Sequence, residues 1–475
     1  MSQTATVSNA EANSSDAIAR HASELQFEQL DAATVEAARW RVLDVLGCAF
    51  GGTRAAGSDA LVDVARAAGG GGESTLVGQQ GLKVPAGTAA MVNAILARSF
   101  DYEVMGVLIE GRLIPSHHAA TTVMTALAIC EARGLGGREL LTALVAGDDI
   151  AARTLAASGL DFGQGWDGAA TYTALGAAVT AGRLLGLSAL QLRHALGIVV
   201  EQIGGTIQAL WDGGTSFKLG QGTAGRNAVF AAQLAAGGWT AMRDPLRGRF
   251  AFYAQYTAGC TDPAILTRDL GRRFWAEAYF KPYPACMATH VCIEAAMRAA
   301  RGAVFEPEAI ESVTVRLPAP SLANFCGKEF EPREYPHTDA IFSYRHMVAG
   351  VLLRGDIAQE HYAEERLRDP RLAGLAAKIR LEPLPADRTG AQVDVISSDG
   401  ARLSGAAAAP SRSPLVQMAS AAEIEQKFMC QLAFSGLASE RVAAELRDLV
   451  LALDQQDSVN RLCAALAGDG TGRAA

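Results

Sequence analysis

The sequence predicts a mainly α-helical protein with a smaller α+β domain inserted into it, and three observations carry that expectation. Apolar residues recur at helical spacing from Asp31 to about Gly259. Prolines and the first period-2 segment appear only beyond Thr261. After Pro414 the helical period returns, so both chain ends build one large helical domain. The expected division is a polar tail over 1–18, helical domain over 19–265, α+β domain over 266–410 and the rest of the helical domain over 411–475. With 49% hydrophobic and 19% charged residues in 475, a largely disordered chain is excluded.

Each element has a local reason. Residues 32–50 carry Val35, Trp40, Val42, Leu43, Val45 and Leu46 on an amphipathic pattern, opened by Asp31 as N-cap and closed by Gly51 and Gly52. Residues 85–100, 119–133, 138–157, 169–185 and 190–203 repeat that pattern, with Gly134, Gly159, Gly186 and Gly204 as left-handed stops. Such Ala/Gly-rich helices approach closely. Farther along, Ser312 to Leu317 alternates as a strand, residues 377–384 and 391–403 add strands, and Ser398-Asp399-Gly400 forms a hairpin turn. Helices over 289–301 and 343–353 lie between them, and helices over 423–437 and 439–454 pack back on the first domain.

Charge removes several function classes. The 50 Asp+Glu and 42 Lys+Arg leave a net −8, and no basic run offers a footprint for nucleic acid or an anionic membrane. The uncharged stretch 227–242 is shorter than the ~20 residues that span a bilayer. Residues 1–16 hold neither a basic residue nor an apolar block, so no targeting segment is expected and the protein should be cytoplasmic. Eight cysteines without a CxxC pair read as reduced, mostly buried thiols, with no structural zinc.

Some candidates for chemistry reduce to structure. Gly69 to Gly72 lacks the Lys-Ser/Thr of a phosphate loop, Asp148 and Asp149 point about 100° apart on a helix, and His194 has no partner at metal spacing. Three places hold more. Asp101 and Glu103 end one helix just before Ser116, His117 and His118 open the next, a combination that suits an anionic substrate or a developing carbanion. Lys218 follows a Gly-rich stretch, either as a desolvated grip for a carboxylate or as a solvated loop lysine. Residues 279–290 run Tyr-Phe-Lys-Pro-Tyr-Pro-Ala-Cys-Met-Ala-Thr-His into a helix at the expected domain boundary, where ligand clefts concentrate.

The run from Lys281 through Cys286 to His290 resembles the K-x-Y-P-x-C-x-x-x-H signature of the MmgE/PrpD family, which includes 2-methylcitrate dehydratase, cis-aconitate decarboxylase and iminodisuccinate epimerase. Leu43 to Cys48, Gly213 to Lys218, and Phe342 to His346 followed by Val351 to Gly355 extend the likeness over nearly the whole chain after about residue 20. The resemblance implies that the α+β domain is a lid, that the protein is a homodimer and that no cofactor or metal is used. It also implies site roles. Asp101 matches the first acid of the family's D-x-D-D-T/H stretch, with Glu103 as the next acid and Val104 and Met105 departing from it. His117 matches the His of H-P-S, with His118 and Ala119 replacing Pro and Ser. Lys218 and Lys281 match two lysines that contact substrate carboxylates. Cys286 stands where decarboxylase-type members have a second catalytic histidine, His290 matches a common histidine, and His346, beside Tyr344, falls at or near a tyrosine position.

The expected function is a cofactor-independent lyase of the dehydratase type, 2-methylcitrate dehydratase-like, removing a proton next to a carboxylate of a small di- or tricarboxylic acid. His117 is the base or acid, Asp101 orients it, and Lys218 and Lys281 neutralise carboxylates, Lys281 being paired only when ligand is present. Glu103, His118, Cys286, His290, Tyr344 and His346 complete the expected binding set. Decarboxylation of a cis-aconitate-type acid, epimerisation of a polycarboxylate such as iminodisuccinate, and a catalytically inactive ligand-binding dimer are the alternatives.

Overall fold

The computed structural model describes residues 13–159, 163–275 and 278–469. The Ala32–Gly52 helix shows how the helical part forms. Asp31 accepts a 2.7 Å bond from the Thr34 amide as N-cap, and every residue from Arg41 to Gly52 is buried. The Ala421–Ser435 helix covers one side of it: a Cβ on Gly47 would stand 3.1 Å from the Phe428 ring. Chain ends about 380 residues apart thus share one apolar core, and buried side chains from Ile18 to Phe280 and from Ile424 to Leu466 form a single cluster.

The helices Ala86–Arg98, His118–Arg133, Gly137–Ala156, Gly168–Leu184, Ala189–Val200 and Leu219–Ala236 supply most of that cluster. Their crossings are tight because small residues face each other. A Cβ on Gly147 would lie 2.6 Å from the Gly176 carbonyl oxygen and 2.0 Å from Thr180 Oγ1, so two helices meet nearly backbone to backbone. The stop expected at Gly204 is corrected. The helix already ends at Val200, because the following residues pair with 165–167 through the Trp166–Thr206 bridge and a 3.0 Å bond from Ile207 N to Gly165 O.

A second apolar cluster gathers between Ala285 and Ala407, joined by Phe100, Ile207, Leu210 and Phe217. Its sheet has the order Ile379–Pro383, Ile310–Leu317, Ala391–Ser397, Arg402–Ala407, the first pair parallel and the others antiparallel. The alternation seen in the sequence becomes alternating burial here. Val313, Val315 and Leu317 are buried while Glu311 is exposed. The Met287–Ala300 helix packs on the last two strands, and the Tyr344–Arg354 helix packs on that helix.

Two further differences have local causes. The polar tail is shorter than 1–18: Asn13 caps a Ser14–Glu24 helix that buries Ile18, Ala19 and Ala22, while residues 1–12 lie outside the described residues. Hairpins Ser74–Thr75 with Lys83–Val84, and Val107–Ile109 with Arg112–Ile114, occur well before residue 261, since strands of two or three residues show no readable period. Asp148 and Asp149 are buried structural acids, paired with Arg41 at 3.0 Å and Arg153 at 2.7 Å respectively. Among the described residues no helix is long and apolar enough to cross a membrane.

Burial also sets an acid limit on the fold. It pushes His21 down to about 4 and His290, His337 and His346 down to about 3. An unfolded chain protonates histidine near ~6.5, so between that pH and about 3 it binds more protons than the native state, and stability is lost as pH falls. The midpoint of thermal unfolding should therefore drop steadily below about pH 6.5; a midpoint that stays level down to pH ~4 contradicts this burial. Gly147→Ala should cost about 1–3 kcal/mol in urea unfolding through overpacking at the helix crossing.

Candidate active site

The site begins where the Ala86–Arg98 helix stops. Asp101 closes that end in the left-handed region, φ 48°, its amide bonded to the Arg98 carbonyl at 2.9 Å. Such a conformation is uncommon for a residue with a side chain and is held only when its surroundings impose it. It turns the Asp101 carboxylate back onto the Arg98 guanidinium, with which it pairs. Glu103, fully buried, lies 3.7 Å from Arg98 Nε.

The loop that carries both acids is fastened from several directions. Met105 and Tyr279 exchange backbone bonds of 3.0 and 2.8 Å, Val104 N donates to Asp44 Oδ2 at 2.6 Å, and Lys427 Nζ reaches the Tyr102 carbonyl at 2.6 Å. The Met105–Tyr279 bridge brings Lys281 alongside Asp101. Its ammonium donates to both the carboxylate and the backbone carbonyl of that residue, and no part of its side chain is exposed. Two buried acids are therefore matched by two buried cations, which lets four charges tolerate desolvation.

His117 is the N-cap residue of the His118–Arg133 helix. Its Nδ1 lies 2.8 Å from Glu103 Oε1 and 4.0 Å from Asp101 Oδ1. A carboxylate acceptor there fixes the proton on Nδ1 and leaves the Nε2 lone pair free to take another. Burial, and next the neighbouring Arg98 charge, hold the imidazole well below its ordinary range, so at neutral pH it is an uncharged base.

Arg98, Asp101 and His117 border a cavity of about 430 Å³, within the ~300–1,000 Å³ usual for small-molecule sites. Asp101, His117 and Cys286 line it, among the residues expected in the site. The structure places the others elsewhere. His118 turns away, bonded to Ser116 and 3.6 Å from Asp148. Lys218 is buried outside the wall, with Nζ on the Ala56 carbonyl at 2.8 Å and its acidity raised, the pKa pushed by burial down to about 8. Lys281 is already paired through Asp101, correcting the expectation that it pairs only with ligand; its desolvation demands a permanent counter-charge. His290 is held at both nitrogens, by Tyr279 Oη at 2.6 Å and the Ala285 carbonyl at 3.1 Å, and so braces the 279–285 loop. Tyr344 accepts from Asn324 Nδ2 at 3.1 Å, and His346 packs on Phe330.

Sequence reasoning missed Arg98, Asp167, Tyr172, Asn324 and the aromatic wall of Trp211, Phe325 and Phe342. A signal existed for Arg98: an arginine in the last turn of an apolar helix, three residues before an acid, has the spacing of a helical ion pair. The aromatic wall had none, since its members come from distant segments. Cys286 opens the Met287–Ala300 helix, and a hydrogen bond from the Cys326 thiol holds its own thiol below the usual range. Asp101, Glu103 and His117 present donor atoms within 4.8 Å of one another, but the acids' charge is already met by Arg98 and Lys281, so this set favours proton transfer over a divalent cation.

The helical body and the mixed sheet with its helices both fall within segments that match known families. Residues 16–263 match the MmgE/PrpD N-terminal domain and residues 283–455 the MmgE/PrpD C-terminal domain. The chain belongs to the MmgE/PrpD family. It is similar to the cis-aconitate decarboxylase of Mus musculus, 26% identical over 375 residues that cover 76% of this chain and 74% of that one. The Homo sapiens enzyme of the same name is 26% identical over 378 residues, 76% and 75% of the two chains. That of Aspergillus terreus is 28% identical over 259 residues, 53% and 52%. With family membership and enzymes as relatives, this chain is an enzyme.

Glu103→Gln should lower kcat by ~10² or more with KM little changed, because the amide no longer imposes the Nδ1–H tautomer on His117; unchanged kcat would separate Glu103 from the reaction. Lys281→Met should lower unfolding free energy by on the order of 3 kcal/mol, since it leaves buried acid charge uncompensated.

Proposed function

We propose that this enzyme is a lyase that removes the proton next to a substrate carboxylate and expels a β-hydroxyl, with His117 as the base. The observation that carries the reading is the neutral, Glu103-oriented imidazole on the cavity wall. Arg98, the cation bordering the cavity among the described residues, meets the substrate carboxylate and the charge that accumulates on it as the carbanion forms. Asp101 fixes Arg98, and Cys286 and Tyr172 are the wall groups that hold a proton to give to the leaving hydroxide. Proton transfer from a positioned base contributes typically ~10²–10⁴ in rate. No step here calls for a cofactor. A role for the sheet and its helices as a lid over this site is part of the same proposal, as is a homodimeric, cytoplasmic enzyme.

Decarboxylation is the second reading, favoured by the names of the relatives. Proton NMR in deuterated water separates the two. An alkene signal with solvent deuterium in the recovered substrate supports elimination; released carbon dioxide supports decarboxylation, and exchange without either product supports epimerisation.

His117→Gln, which keeps a partner for Glu103, should reduce turnover at least ~100-fold and leave thermal unfolding nearly unchanged. A variant retaining most activity removes His117 from the mechanism. The acid limb of kcat/KM should lie below the ordinary imidazole range near ~6.5, because a depressed pKa keeps the base unprotonated to lower pH.

A further inference from the structure

Two thiols meet at one side of the cavity. Cys286, half-buried, lines it one residue before the Met287–Ala300 helix. Cys326 is fully buried in the short Phe325–Gly327 turn, which follows Asn324, and Asn324 and Phe325 line the same cavity. The Cys326 thiol donates a hydrogen bond to the Cys286 sulfur. Other contacts hold both residues in place: the Cys286 amide donates to the Ile341 carbonyl at 3.3 Å, the Cys286 carbonyl accepts from Thr289 Oγ1 at 2.7 Å, and the Cys326 amide donates to Asn324 Oδ1 at 2.8 Å. Two separate segments thus fix the sulfur contact, and the ~2.05 Å of an S–S bond requires only a local approach.

The two sulfurs are unequal. The Cys326 hydrogen bond, the Lys281 charge and the Ala288 amide hold the Cys286 thiol below its usual range, against burial and the Asp101 carboxylate. Burial, and next Cys286 itself, push the Cys326 thiol well above that range. One partner is a nucleophile open to the cavity, and the other keeps its proton until its neighbour reacts. Cys130, Cys292 and Cys463 are buried thiols raised by desolvation, and none lines this cavity. An accessible thiol that ionises readily, beside a second thiol able to resolve it, has the arrangement of a peroxide-sensitive cysteine.

We propose that Cys286 is a modification site for small hydroperoxides and that Cys326 resolves it. The Cys286 thiolate attacks the terminal oxygen of the hydroperoxide: an S–O bond forms, the O–O bond breaks, and the departing alkoxide or hydroxide takes up the proton that Cys286 released. The Cys326 sulfur then attacks the sulfenic acid; the S–S bond forms, the S–O bond breaks, and the hydroxyl leaves as water with the Cys326 proton. Two thiols are oxidised to one disulfide while one hydroperoxide is reduced to an alcohol, or to water when it is hydrogen peroxide, with a second water released. A dithiol reductant reverses the change. Oxidised Cys286 has no proton to give to a leaving hydroxide, so turnover stops until reduction; this consequence alone rests on the lyase reading, and the disulfide does not.

The reduced full-length enzyme is treated with submillimolar hydrogen peroxide, its remaining thiols are alkylated, and the non-reduced digest is read by mass spectrometry. A Cys286–Cys326 linked peptide should appear, Cys286 alkylation should fall at least ~tenfold, and dithiothreitol should restore it. In Cys326→Ala, Cys286 should be trapped by dimedone as sulfenic acid and pass on to sulfinic acid that dithiothreitol does not recover. Cys286 that stays fully alkylatable while the exposed Cys430 is oxidised, or a disulfide from Cys286 to any cysteine other than Cys326, overturns the proposal. So does Cys286 reaching sulfinic acid equally in wild type and in Cys326→Ala, a comparison made within the wild-type fold as well as in the variant. Failure of the lyase reading looks different. With citrate and cis-aconitate as probes, complete disulfide formation that leaves turnover unchanged keeps the modification site and removes Cys286 from the reaction. Turnover lost in Cys286→Ala, with no disulfide in peroxide-treated wild type, does the reverse.

Discussion

Everything at this site depends on the compensation of four buried charges, Arg98 and Lys281 against Asp101 and Glu103. Each alone is expensive to desolvate; together they form a set that stays charged inside the protein. The set also explains the backbone. Asp101 holds an uncommon left-handed conformation because its carboxylate and carbonyl are both engaged by cations on separate segments. Strain of this kind, of order 1–3 kcal/mol, persists only where several contacts impose it, and the loop from Asp101 to Met105 has them.

From that set follows the state of His117. A carboxylate on Nδ1 would by itself favour the imidazolium, yet burial and the Arg98 charge outweigh it. The outcome is an oriented but uncharged base beside an apolar chamber. Position between the two apolar clusters matters for the same reason: Phe342 comes from one and Tyr172 from the other, so the histidine stands on a largely apolar wall.

The family signature and the chemistry of this cavity speak to different scales. Matches spanning residues 16–263 and 283–455 reflect the packing of helices, sheet and connecting segments. The wall reflects a handful of positions. His290 illustrates the distance between them: it belongs to the signature, but both its nitrogens are occupied and its role is to brace the loop that delivers Lys281. A motif residue can be shared for building a site as well as for operating it.

Local physics makes the secondary structure legible in this sequence. Helical spacing and N-caps such as Asp31 mark the Ala32–Gly52 helix, and the alternation from Ser312 to Leu317 marks the central strand, because both depend on residues a few positions apart. Legible too was the meeting of Asp101, Glu103 and His117, since only a short hairpin separates them. Sequence left undecided which way each long-range charge turns. Lys218 and Lys281 look alike as isolated lysines, and only the fold sends one to the Ala56 carbonyl and the other to Asp101. The aromatic wall is likewise a product of tertiary packing. Trp211, Phe325 and Phe342 lie as far as 131 residues apart, and their burial energy is realised only when distant segments close on one another.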